Sequence, residues 1–191
     1  MAIDSPFHKK IGDILNDMNL PKVGVSVCLD MACDGNEKGK KSQISLFAGE
    51  KGRENILCKV DSILITHENS VNNIKVIIEI EESGFNPTKI CGKYFTSALA
   101  KSYIDFSGIE IPIACKSILF IQIIDSNNLL KNVKEKNNSK KKEQLINIGK
   151  EIKSVLPFGC IKEYEVIFID SNKPYFSEFI SLIKRYLSID N

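Results

Sequence analysis

Residues 117–124, SILFIQII, are apolar almost without interruption. A strand with one wet face alternates apolar and polar residues, whereas a continuous run predicts a strand covered on both sides. This segment therefore demands a layered fold, with other elements packed over both faces of a sheet. The surrounding sequence offers such cover. Residues 5–19 read as a helix, with Ser5 as N-cap, Pro6 in the first turn, and Phe7, Ile11, Ile14 and Leu15 at helical spacing. Residues 87–103 read as another, with Asn86 as cap and Pro87 first. Its apolar stripe is Cys91, Tyr94, Phe95, Ala98, Leu99 and Tyr103. Residues 143–156 and 175–187 give two more helical patterns.

Strand patterns fall at residues 23–31, 43–48, 56–66, 74–82 and 164–169. The first two read as a hairpin, and residues 56–66 as one long strand. In the segment 74–82, side chains alternate with period two, which places Lys75, Ile77, Glu79 and Glu81 on one face. Residues 104–116 give no clear pattern, and 134–142 (KEKNNSKKK) read as a basic loop. The expected architecture is a mixed α/β sheet flanked by helices. It is a single domain over 1–191, with a core at about 5–124 and a C-terminal αβα extension at about 125–191.

The chain has 191 residues, 43% of them hydrophobic, which supports a real core and excludes global disorder. Formal net charge is +2, too small to identify a partner. The six cysteines form no CxxC pair, and with only two histidines a zinc set is hard to assemble. They read as free, mostly buried thiols of a cytoplasmic protein. The start, MAIDSPFHKK, lacks a signal-peptide core, and no apolar run reaches membrane-spanning length.

Against this background three acids stand out. Asp61 interrupts the apolar run ILCKVDSILI, and its face also carries Leu57, Ile63 and Ile65. Glu79 and Glu81 close the run IKVIIEIEE. Carboxylates are costly in a core unless something pairs with them. If the two strands are neighbours, their acids can hold Mg²⁺, which favours hard oxygen ligands and takes one or two carboxylates. Such a site activates water for phosphodiester hydrolysis. The other reading makes Lys75, Glu79 and Glu81 the wet face of an amphipathic strand, with Asp61 a surface residue opposite.

The order αβββαβ, with Asp in KVDSILI, Glu-x-Glu in VIIEIEESG and a helix from NPTK, resembles the PD-(D/E)xK nuclease superfamily of the restriction endonuclease-like fold. The likeness covers roughly residues 5–124. Most members carry lysine where Glu81 stands here; the type II restriction enzyme BamHI has glutamate there, within a similar Glu-Ile-Glu strand end. The resemblance implies a Mg²⁺-dependent endonuclease acting on DNA in the manner of type II restriction enzymes, with Mn²⁺ as a substitute ion. Asp61 and Glu79 would be metal ligands and Glu81 a ligand or general base. Lys89 or Lys93 would supply a lysine displaced onto the following helix. It also implies a homodimer, since a palindromic site is read by a two-fold pair.

Lys93, Lys140, Lys141 and Lys142 are candidate phosphate-backbone contacts, which would give salt-dependent affinity. His67 follows the Asp61 strand and is a general-base candidate, although a lone loop histidine more often has no role. The alternative to an enzyme is a non-catalytic module of the same fold that binds nucleic acid or protein.

Overall fold

A computed structural model describes residues 6–35, 43–68, 71–83, 85–105, 107–131 and 138–189. The continuous apolar run is strand β8 (Ile118–Asp125), and all of its residues are buried. It lies in a five-stranded sheet with β1 (Val25–Leu29), β4 (Ser62–Glu68), β5 (Val71–Glu81) and β9 (Ile161–Ile169), in the spatial order β1-β4-β5-β8-β9. The first three are mutually antiparallel, and β5, β8 and β9 run parallel. The chain is thus a mixed α/β fold, as the helix and strand patterns predict.

One face of this sheet is covered by α1 (Pro6–Asp17) and α6 (Ser177–Tyr186). Phe7, Ile11 and Leu15 of α1 and Phe179 and Ile183 of α6 pack there on Val76, Ile78, Leu119 and Ile121. Each fully buried side chain of this kind contributes roughly 1.5–3 kcal/mol. The helical spacing in the sequence was sufficient to find both elements, although Ser5, the expected cap of α1, lies outside the described residues. A short helix, α2 (Met31–Asp34), follows β1 and packs against α1 at Gly12. A Cβ there would stand 2.1 Å from the Cys33 carbonyl oxygen. Gly12→Ala should therefore lower the urea midpoint, by about 1–3 kcal/mol of stability, because backbone blocks the added methyl on the α2 side.

The other face is covered by α3 (Pro87–Ala98), by α5 (Asn138–Ser154) and by a second, four-stranded sheet. That sheet has the order β3-β2-β6-β7, from β2 (Ile44–Phe47), β3 (Ile56–Val60), β6 (Ser102–Ile104) and β7 (Glu110–Pro112). It corrects three expectations. Residues 23–31 and 43–48 do not form a hairpin, because β2 pairs with β3 and β6 instead. The single long strand at 56–66 is two strands, which part at Asp61 and belong to different sheets. Residues 104–116, without a pattern in the sequence, contain the end of β6 and all of β7.

The remaining differences are local. Helix α3 ends at Ala98; Tyr94 is buried as expected, but Phe95 is 43% and Leu99 54% exposed, and Ile90 takes the inward position instead. Part of the basic loop is helical, since α5 starts at Asn138, while residues 132–137 lie outside the described residues. A short helix, α4 (Ser126–Lys131), joins β8 to this region. Cys33 and Cys160 are buried and Cys115 is exposed; none of the six cysteines is in a disulfide. Among the described residues, no helix is long and apolar enough to cross a membrane.

Candidate functional site

Asp61 occupies the point where the chain leaves the small sheet for the large one. Its carbonyl accepts a hydrogen bond from the Asp30 amide at 2.9 Å. Its carboxylate oxygen Oδ2 accepts from the Ile80 amide at 2.6 Å. A regular ladder would offer Ile80 a backbone carbonyl, but β4 begins only at Ser62, and the Asp61 side chain takes that role. The last register pair at this end is Ser62 with Ile78, so Asp61 stands one residue further, opposite Glu79 and on its face. The acid is thereby fixed against the residue between Glu79 and Glu81.

Glu79 and Glu81 are both 0% exposed. They point to the α3 side, between the core under the small sheet and a separate apolar cluster of Phe85, Ile90, Ile124, Leu129 and Leu145. Burial is tolerated because α3 presents two lysines one turn apart. The Asn86 side chain accepts from the Lys89 amide at 2.7 Å, the cap that the sequence predicted, and this anchors the start of α3. Lys93 Nζ donates to Glu79 Oε2 at 2.5 Å and lies 3.1 Å from Glu81 Oε1. Lys89 Nζ donates to Glu81 Oε2 at 2.6 Å. The structure thus brings Asp61, Glu79, Glu81, Lys89 and Lys93 into one cluster.

The charges do not balance within it. Burial, and next the Asp61 charge, push the Glu79 carboxyl well above the usual range, with Lys93 only partly offsetting them. Burial alone would lower Lys93, but Glu79, Asp61 and Glu81 more than reverse that and hold it as an ammonium. One acceptor remains in excess. Glu79 Oε1 is buried and makes no hydrogen bond, whereas Glu81 Oε1 has the Lys93 ammonium 3.1 Å away. An uncompensated oxygen of this kind suits a cation. Among the described residues, however, no three His, Cys, Asp or Glu side chains form a ready-made metal cage. Lysine ammonium groups stand among the acids instead. Mg²⁺ requires no full cage, because water and substrate phosphate complete its shell.

Three groups at the edge of the cluster were not singled out from the sequence. His8, on α1, lies with Nδ1 3.0 Å from Glu82 and Nε2 3.7 Å from Asp61. Its backbone amide also donates to Glu82 at 2.9 Å. Asp30, at the end of β1, caps α2 through the Cys33 amide. Burial and the neighbouring Asp61 raise its pKa. Only an acid just after a strand and a histidine on a helix could have hinted at these, and neither signal is specific.

Burial lowers His8, but Glu82 and Asp61 outweigh it, and its pKa ends above the ordinary 6.5. Burial raises Glu82, yet the His8 bonds leave it below 4.5. The pair therefore stabilises the fold between those two folded-state values. Its contribution is lost as pH rises through the raised His8 value, and lost again as pH falls through the depressed Glu82 value. His8→Gln should cost more stability in urea at pH 6 than at pH 8.5, by about 1 kcal/mol or less given partial exposure.

The other residues singled out in the sequence have partners of their own. His67 sits at the far end of β4, where its ring meets Ser26 Oγ at 2.6 Å and Asn72 Oδ1 at 2.7 Å. Lys140, Lys141 and Lys142 lie in the first turns of α5. Lys141 is 5.8 Å from the Phe85 ring centre and Lys142 5.0 Å from that of Phe168. Lys75 departs from its assigned face. The register steps from Leu64–Val76 to Ile65–Ile74, so Lys75 is the extra residue of a bulge, which removes it from the row of Ile77 and Glu79.

Comparison of the chain with protein-family models, with curated proteins and with solved structures gives no match.

Proposed function

We propose that this protein is a Mg²⁺-dependent endonuclease that hydrolyses phosphodiester bonds in DNA, built on a restriction endonuclease-like core. The observation that carries this reading is the meeting of Asp61 and Glu79 across adjacent strands, with lysines of the next helix among them. The order α1, β1, β4, β5, α3, β8 supports the core, with antiparallel pairs up to β5 and a parallel β5–β8 pair. On this reading β2–β3 and β6–β7 are additions that form the small sheet. The acids also lie at the carboxyl end of β5, where sheets with parallel strands commonly place their ligands.

Asp61 and Glu79 would hold the ion, which supplies an activated water and charge neutralisation at the scissile phosphate. Glu81 pairs with Lys89 and Lys93 and would serve as the base that takes a proton from the attacking water. The Lys93 ammonium, held by Glu79 and Glu81, would stabilise the developing phosphate charge. Lys141 and Lys142, held over Phe85 and Phe168, would contact the DNA backbone and make binding salt-dependent. A homodimer rests on analogy with restriction enzymes alone.

A second reading is a non-catalytic module of the same architecture that binds nucleic acid or protein. It is favoured by the lysines, which already neutralise much of the acid cluster. Duplex DNA incubated with the purified full chain separates the two. Cleavage in Mg²⁺ that stops with chelator supports the enzyme. Intact DNA in Mg²⁺, Mn²⁺ and Co²⁺ alike would overturn it.

A further inference from the structure

The opposite end of the large sheet carries a second charged site. An open cavity of about 640 Å³ is lined there by Lys75, Lys116, Lys162 and Arg185, with Glu68 and Glu163 as its acids. Cations outnumber acids two to one. Lys162 and Glu163 form an ion pair on the cavity wall, but it is 3.7 Å long and exposed on both sides, so it neutralises little.

Irregular backbone brings the lysines in. Lys75 is the extra residue of the bulge in β5. The register of β8 with β9 steps from Ile118–Ile161 to Leu119–Glu163, so Lys162 is the extra residue of a second bulge. Lys116 has φ 53°, a left-handed conformation that a non-glycine residue adopts at a cost. Bulges re-aim single side chains, and here two of them direct lysines from different strands toward one space. Tyr186 forms part of the wall. Its hydroxyl donates to the Ser117 carbonyl at 2.9 Å, and its ring centre lies 6.0 Å from Lys162 Nζ. The ring thus steadies the ammonium without removing its charge.

We infer that this cavity binds phosphoryl groups, either those of a nucleoside di- or triphosphate or those of a nucleic acid backbone. Several lysines and an arginine around one open space match the charge and the acceptor oxygens of phosphate. The volume suits a small ligand. By strand rise, Lys75 lies roughly 20 Å from Glu81. The cavity is therefore separate from the carboxylate cluster and does not depend on the nuclease reading.

Calorimetric titration of the full chain, without divalent metal, tests the inference with pyrophosphate and with a short DNA duplex as probes. Wild type should bind, and Lys75→Gln combined with Lys162→Gln should weaken binding about tenfold or more. Pyrophosphate binding lost in the double variant identifies a free phosphate compound as the source. Binding of DNA alone, with a salt slope reduced by about 1.8 in the variant, identifies the backbone. Should the double variant fail to fold, Arg185→Gln, an exposed position in the last turn of α6, must weaken binding of the same ligand. Absence of binding by wild type, or equal binding by the folded variants, overturns the inference. Glu79→Gln must bind pyrophosphate as wild type does, which keeps this outcome apart from the fate of the carboxylate site.

Discussion

Lys93→Met should cost the fold about 3–5 kcal/mol near neutral pH, the range found when one partner of a buried ion pair is removed. Lys93 is the hinge of the cluster, since its ammonium serves Glu79 and Glu81 together and both carboxylates are fully buried. Methionine keeps most of the volume and removes the charge. Lys89 would then remain on Glu81, and Glu79 would lose its lysine. Relief is available to Glu79 through protonation, because burial and Asp61 already raise its pKa. The loss in urea titrations should therefore be smaller at pH 5 than at pH 8. If the site also accepts divalent ions, millimolar Mn²⁺ should restore part of the lost stability, by the mass action of a ligand that binds only the native state. Lys93→Met protein as stable as wild type at pH 8 would show that the acids are neutralised in some other way.

Glu79→Gln is expected to separate activity from stability. Cleavage should fall by about 10³-fold or more, as expected when a group that holds the ion and its charge stabilisation is lost. Stability should hold or rise, by about 1–3 kcal/mol, because three acids face two lysines and one buried charge is removed. The pH dependence gives the sign. A carboxyl with a raised folded pKa binds its proton more tightly in the native state, so wild-type stability falls as pH rises from about 4.5 toward the folded value. Glutamine has no such slope. The advantage of the variant should thus be absent at pH 4 and grow toward neutrality. A purely structural network predicts the reverse, with Glu79→Gln clearly destabilised at pH 7.

Much of this site is legible in the sequence. The period of two in residues 74–82 put Glu79 and Glu81 on one face, and an isolated acid in an apolar run singled out Asp61. Asn86 and Pro87 fixed the start of α3 and hence the placement of Lys89 and Lys93 over the acids. What escaped depends on contacts distant in sequence. Strand β2 pairs with β6 about 55 residues on, Leu46 against Tyr103, and nothing local to either segment encodes that choice. The β5 bulge moved Lys75 from its assigned face, since one extra residue reverses the alternation. The buried stripe on α3 is narrower than its apolar pattern, because helical period alone does not reveal where cover ends, and Phe95 and Leu99 are exposed. His8 meets Glu82 across 74 residues, which only the docking of α1 on the sheet decides.

The acid cluster itself is tested most directly by titrating the metal-free protein with Mn²⁺, by calorimetry or by electron paramagnetic resonance of the ion. Wild type should bind Mn²⁺ with one or two sites per chain, and Asp61→Asn and Glu79→Gln should each abolish or strongly weaken that binding while the fold persists. Wild type that leaves Mn²⁺ free in solution, or variants that bind it as well as wild type does, would contradict a metal-holding role for Asp61 and Glu79.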